Sequence, residues 1–425
     1  MLKHLAWMGA STFARVGSGV LVFIVIARAL GPDGFGHYMF WFSATYLLSL
    51  VANFGLGNLL LREIGQDVSR LPSLIAQALK ARLLISFLLI ALAGVAAPFV
   101  EMPILMLTLL VASLLEMLAE TFFVAYRAKS LYSMETRWVT AVAVMQLFAV
   151  SVAALISPSE NSMAIAYCLT RLVQFFVVYI GLHNTLGNLQ KASLMEGLLL
   201  LKRSKSYAID FGLGNLFGHI DSLILRAYVG VGAVGLYQAG MRVFQGGAQM
   251  APILANVFLP SVARVASDKA AAQRSAEKVQ LAFLACGISF GLVLTYGAEL
   301  IVSLLLGSGY AELATLLPLF GILFFVRFFA ASWGLILTAH GYQQFRAIST
   351  SLHLALALLL AALLVSEHGV AGWLWSVITA NFVLALIYML GAVRNKVMNV
   401  STKVSATAVF GCVAFLPQLS GAWSF

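Results

Sequence analysis

Apolar residues run through this chain in stretches of about 20 or more, the length an α-helix needs to cross a bilayer core, and polar residues gather in the short breaks between them. On that ruler the pattern predicts twelve helical spans. The first six run approximately Trp7 to Leu30, His37 to Leu61, Leu83 to Val100, Ile104 to Tyr126, Trp138 to Ile156 and Ser162 to Leu186. The second six run approximately Ser206 to Val229, Leu236 to Phe258, Gln280 to Leu305, Leu313 to Ala339, Ala347 to Val365 and Val370 to Val393. After Lys403, SATAVFGCVAFL offers about 12 apolar residues before Pro417, short for a crossing, so a thirteenth span stays open.

An internal repeat divides the pattern. The turn after the first span, Gly31-Pro-Asp-Gly-Phe-Gly-His-Tyr38, overlays Gly230-Val-Gly-Ala-Val-Gly-Leu-Tyr237 at an offset of 199 residues, with Gly31, Gly36 and Tyr38 matching Gly230, Gly235 and Tyr237. Six spans per repeat return the chain to the same side, so the halves are expected to be related by an axis along the membrane normal. The fold class read from the sequence is therefore an all-α polytopic membrane protein of two six-helix bundles. Residues 1–190 form the first bundle, 191–205 a cytoplasmic linker, 206–403 the second bundle and 404–425 a short apolar tail. The first span is long, contains Arg15 and ends in the repeated glycine turn, which argues against a cleaved signal peptide.

Composition agrees: 61% of residues are hydrophobic and only 10% charged, where a soluble domain has about a quarter charged. The net charge of +10 raises the question of nucleic acid, but the basic residues are spread over every second connection rather than gathered on one face. Twenty of the 26 lie there, including Arg62, Arg70, Lys80 and Arg82, then Arg127, Lys129 and Arg137, then Lys191, Lys202, Arg203 and Lys205, then Arg264, Lys269, Arg274 and Lys278. The opposite connections carry Asp33, Glu101, Glu160, Glu312 and Glu367. By the positive-inside rule the amino terminus is cytoplasmic. Cys168, Cys286 and Cys412 are isolated in apolar segments, without disulfide or metal-site spacing. Gly212-x-Gly214-x-x-x-Gly218 lacks dinucleotide-site spacing and reads as close helix packing, and no P-loop occurs.

The remaining six basic residues, all arginines, fall inside spans: Arg15, Arg28, Arg171, Arg226, Arg242 and Arg327. Arg28 and Arg226 lie near span ends, where snorkelling suffices. An arginine at the helix centre costs roughly 2.5–3.5 kcal/mol toward lipid, so Arg15, Arg171, Arg242 and Arg327 must face water, acids or substrate. Acids at similar depth are Glu116, Glu120, Asp210, Asp221 and Glu299, and ion pairing among the two sets is one reading. Glu116 and Glu120 lie about 40° apart on one helical face, so a shared desolvated pocket would make them, with Asp210, candidates for ion coupling. On a continuous helix His219 would point roughly 200° from Asp221, which favours a packed, hydrogen-bonded histidine over a relay. Guanidinium groups pair bidentately with phosphate and keep their charge when dehydrated, so an interior of arginines suits an anionic, phosphorylated head group. The candidate binding set is Arg15, Arg171, Arg242, Arg327 and Asp221, in a cleft between the halves.

Several segments carry a family resemblance: ARALGPDGFGHY followed by NFGLGNLLLREIG, AYRAKSLY, GHIDSLILRAYVGVGAVGLYQAGMRVFQ through LPSVARVA, and HGVAGWLWSVITA. Together they resemble the polysaccharide transport family of O-antigen and capsule repeat-unit flippases, within the multidrug/oligosaccharidyl-lipid/polysaccharide exporter superfamily. The resemblance implies translocation of an undecaprenyl-pyrophosphate-linked oligosaccharide to the outer leaflet of a bacterial cytoplasmic membrane by alternating access. It implies no cofactor or resident metal, H+ or Na+ as candidate coupling ions, membrane lipids as surroundings, and polysaccharide polymerase or assembly proteins as candidate partners. A cation-coupled multidrug exporter and a lipid II flippase are the nearest alternatives. A membrane glycosyltransferase is disfavoured, because no D-x-D signature and no long outward loop is present.

Overall fold

A computed structural model of the chain describes residues 2–186, 190, 192–216, 218–265, 268–395 and 397–421. All its regular elements among these residues are helices. It divides into two compact units, Met1–Ala227 and Tyr228–Phe425. Lys191, named above, and Lys396, another of the twenty basic residues placed in connections, lie outside the described residues.

In the first unit α1 (Leu2–Asn53) holds two crossings joined at a kink, followed by α2 (Leu56–Gln66), α3 (Leu71–Ala96), α4 (Pro103–Ala128), α5 (Tyr132–Ile156), α6 (Glu160–Leu186), the connecting α7 (Leu194–Arg203), α8 (Lys205–Leu216) and α9 (Ile220–Tyr228). The kink is at Gly31, whose φ of 68° and ψ of 179° are open in practice only to glycine. Pro32 follows at the first position of the next helical segment, where its missing N–H costs nothing. The second unit contains α10 (Val231–Ala248), α11 (Met250–Arg264), α12 (Lys269–Tyr296), α13 (Ala298–Leu305), α14 (Leu313–Ala339), α15 (Gln343–Arg394) and α16 (Thr402–Gly421). Gly230 opens it with φ 131° and ψ −178°, so the two members of the sequence repeat share a glycine-only conformation. Tyr38 and Tyr237, seven residues past each glycine, are both buried.

Eight helical stretches among the described residues are long and apolar enough to cross a bilayer. Two are double: α1 bends at Gly31, and α15 bends at Gly369, which has φ 54°. The seventh and eighth expected spans are instead divided. The seventh is α8 and α9, separated by a turn containing Gly218 and His219. The eighth is α10 and α11, meeting at Gln249 just after Gly246 and Gly247, where helix propensity is low. The tail forms α16, which packs on α12 and α14, with the Phe415 ring 5.7 Å from that of Phe325.

One boundary needs correction. The sequence reading put Arg82 in a cytoplasmic loop before a span beginning at Leu83, but α3 starts at Leu71 and Arg82 is fully buried in its middle. The run SLIAQALKA between the charged positions is amphipathic enough to continue the helix, and its apolar residues Leu74, Ile75, Ala78 and Ala81 are buried.

Each unit is organised around one central helix, α4 in the first and α14 in the second, the fourth of each set of six. Lipid tails give no hydrophobic drive between helices, so close packing must hold them. Gly291 and Gly321 allow it in the second unit: a methyl on either would meet the other's carbonyl oxygen at 2.8 or 2.6 Å. The outward faces are apolar and exposed, as at Phe87, Leu92 and Val95 of α3 and Phe148 and Leu155 of α5, the surface that acyl chains would cover.

Candidate functional site

In the first unit four helices bring charged side chains to one place. α4 and α5 are joined by a tight turn at Lys129–Leu131, with Ser130 at φ 58°, which sets Arg127 opposite Glu135. Arg127 grips the Glu135 carboxylate with Nη2 at 2.6 Å and Nε at 2.9 Å, and reaches back two helical turns to Glu120 with Nη1 at 2.7 Å. Arg15 of α1 approaches the same two carboxylates more distantly, at 3.4 Å from Glu120 and 3.5 Å from Glu135. The carboxylates are thus already claimed by Arg127, and Arg15 keeps donors for another anion.

Arg171 of α6 is held mainly along its own helix. Nη2 donates to the Tyr167 hydroxyl one turn before at 2.7 Å, and Nη1 to Gln174 Oε1 one turn after at 2.7 Å. The guanidinium lies 4.8 Å from the centre of the Tyr167 ring. Glu116 stands at 3.6 Å, beyond a strong hydrogen bond, and Nε is buried without a partner. Arg15 and Arg171 both line one cavity of about 60 Å³, together with Ser18, Glu116, Gln146, Tyr167 and Gln174. That is room for a few waters or part of a phosphate group.

The second unit repeats the holding pattern. Arg242 of α10 donates to Gln245 Oε1 one turn after at 2.9 Å and to Gln238 Oε1 one turn before at 3.4 Å. Arg327 of α14 sits with its guanidinium carbon 5.4 Å from the centre of the Phe244 ring, and is exposed. Asp221, expected beside the arginines, is buried at the start of α9, where it accepts from the Ser222 backbone N–H at 2.6 Å and the Ser222 hydroxyl at 3.3 Å. Arg226 pairs with Glu101, an acid of the opposite-sign loops, at 3.1 Å. Asp210 belongs to α8, but its side chain lies outside the described residues.

The structure therefore gathers Arg15, Arg171, Glu116 and Glu120 in the first unit and places Arg242 and Arg327 in the second. Sequence reasoning missed Arg127 and Glu135 as members of the cluster, although AYRAKSLYSMET places them on either side of a helical hairpin turn. It also missed Arg82, which donates to Met117 O and Thr121 Oγ1 at 2.6 Å each and to Asn53 Oδ1 at 3.2 Å. A buried guanidinium held by neutral oxygens ties α3 to α4 and to the end of α1. Among the described residues no set of three or more His, Cys, Asp or Glu is placed to hold a metal. The three cysteines are free thiols.

Residues 25–315, more than half of the chain, match the model of a family described as polysaccharide biosynthesis protein. The chain belongs to that family. No curated protein matches it in sequence. In structure, this family member is similar to an inward-facing multidrug resistance MATE family transporter of the MOP superfamily, with a TM-score of 0.69 at 13% identity over 95% of this chain and 98% of that one. It is likewise similar to the lipid II flippase MurJ in an inward closed conformation, with a TM-score of 0.67 at 12% identity over 98% of both chains. An outward-facing MATE family transporter gives 0.59 at 14% identity, over 95% and 96%. At these identities the likeness is one of fold, and it agrees with the family resemblance carried by the sequence motifs.

Proposed function

We propose that this polysaccharide biosynthesis protein is a flippase that moves an undecaprenyl-pyrophosphate-linked oligosaccharide repeat unit from the inner to the outer leaflet of a bacterial cytoplasmic membrane by alternating access, with its amino terminus in the cytoplasm. The observation that supports the reading is that Arg15 and Arg171 each lack a tight carboxylate partner. Both face one cavity, and their carboxylate contacts are 3.4–3.6 Å, whereas Arg127 holds the neighbouring acids at 2.6–2.7 Å. A diphosphate offers each guanidinium a closer anionic acceptor than the carboxylate it now faces. Arg242 and Arg327, within the second unit, are further candidates for binding an anionic head group. Glu116, with Arg171 as its neighbour, is the carboxylate whose charge would respond when the arginine turns to substrate, with H+ or Na+ as the ion taken up.

The fold is shared with drug transporters and with a lipid II flippase, so the cargo is what needs testing. Proteoliposomes carrying the purified protein and a fluorescent lipid-linked oligosaccharide, assayed by accessibility of the label to an impermeant quencher, should show leaflet exchange that disappears in Arg171→Gln. Exchange of an organic cation across the vesicle wall, with no movement of the diphosphate lipid, would overturn the proposal in favour of a drug exporter. Equal movement of lipid II would assign the broader class of polyprenyl-diphosphate sugars and reject the repeat-unit specificity.

A further inference from the structure

The turn that interrupts the seventh crossing meets the second half of α1 through a continuous series of polar contacts. His219 Nδ1 lies 3.4 Å from Ser43 Oγ. Ser43 Oγ donates to Ser222 Oγ at 3.1 Å, and Ser222 Oγ donates to Asp221 Oδ1 at 3.3 Å. Read from His219, each group hands a hydrogen to the next: an imidazole N–H, two hydroxyls and a carboxylate that closes the series. Ser43, Ser222 and Asp221 are buried, and the Tyr46 ring lies 4.2 Å from the imidazole. The helical-wheel argument that separated His219 from Asp221 fails because α9 begins only at Ile220, so His219 lies outside the helix and is free of its 100° step.

Two rotatable hydroxyls bounded by a base at one end and an acid at the other have the composition of a proton path rather than of a packing contact. We propose that His219, Ser43, Ser222 and Asp221 carry one proton between the imidazole and the carboxylate. The Nδ1–H bond of the imidazolium breaks; Ser43 accepts that proton while passing its own to Ser222; Ser222 passes its own to Asp221, where an O–H bond forms. Imidazolium and carboxylate become imidazole and carboxylic acid, and the net charge of the series does not change. The spacings of 3.1–3.4 Å are long for hydroxyl bonds, so each transfer requires the two groups to close in first.

Other ionisable groups bear on the series from α1, α4 and α6: Tyr46, and through it Glu116, Glu120 and Tyr167. Along α9 itself Arg226 is engaged by Glu101.

The test uses the purified full-length protein and no substrate, so its outcome is independent of whether a lipid-linked oligosaccharide is the cargo. A pH titration follows the protonated-carboxyl infrared band, assigned by its loss in Asp221→Asn, and the imidazole signal of His219. His219→Gln should shift the Asp221 midpoint by about one pH unit or more, as expected of coupled sites. After a pH jump the two signals should change together in the wild type, while in Ser43→Ala the carboxyl should lag by about tenfold, the kinetic equivalent of one hydrogen bond. Ser43→Thr, which restores the hydroxyl, should remove the lag and shows that the alanine variant is not simply misfolded. An Asp221 midpoint indifferent to His219→Gln, or equal rates in Ser43→Ala and the wild type, would reduce the series to a polar pin and overturn the proposal.

Discussion

Arg127 and Arg171 sit on neighbouring helices of one unit, yet their surroundings assign them different work. Arg127 satisfies Glu135, whose side chain is only 6% exposed, so Arg127→Gln leaves a nearly buried carboxylate with only Arg15, 3.5 Å away, and should cost about 3–5 kcal/mol of stability, read as a lower thermal midpoint in detergent. Arg171→Gln leaves only Glu116 behind, more exposed and 3.6 Å away, so the fold should persist while diphosphate binding falls. Arg82 supplies a third case, because its partners are all neutral oxygens. Arg82→Met should cost about 1.5–3 kcal/mol, the worth of hydrogen bonds to a charged group, and an unchanged midpoint would show that Asn53 and Thr121 find other partners. The span arginines were legible in the sequence because a charge at the centre of an apolar run must find water, an acid or a ligand. Arg82 and Arg127 were not, because residues at the edge of a run look the same whether the helix stops there or runs on.

At the scale of the element, the glycine turn was legible because the motif occurs twice, and the structure gives both copies a conformation closed to other residues. Gly31→Ala and Gly230→Ala should each destabilise by of order 1–3 kcal/mol. Gly17→Ala, at an unstrained helical position with nothing within 4 Å of the added methyl, should be neutral or stabilising by about 0.5–1 kcal/mol. Equal thermal midpoints for all three variants would contradict the strain argument. The breaks in the seventh and eighth spans were not legible. Hydropathy sums over 20 residues do not register a turn of two or three, and Gly218 beside His219 reads equally well as packing glycine and packed histidine.

For the whole chain, the alternation of basic and acidic connections makes a claim about sidedness that chemistry can check. In a background with Cys168, Cys286 and Cys412 replaced by alanine, single cysteines at the exposed positions 33 and 367 should react with an impermeant thiol reagent added outside spheroplasts, and those at 129 and 269 should react only after lysis. The reverse pattern would invert the direction of transport. Charge patterning carries this expectation of sidedness, and the sequence motifs carry the family, because both are repeated along the chain. The cavity in the first unit depends instead on four helices meeting, which no local pattern records. Its claim on a diphosphate is tested most directly by equilibrium binding of an undecaprenyl-pyrophosphate-linked oligosaccharide to the purified protein, with the uncharged polyprenol as control. Arg15→Gln and Arg171→Gln should each weaken binding by about 10–100-fold, the cost of one charge-assisted contact, and leave any polyprenol binding unchanged. Wild-type affinity in both variants, or equal affinity for the uncharged polyprenol, would contradict the account.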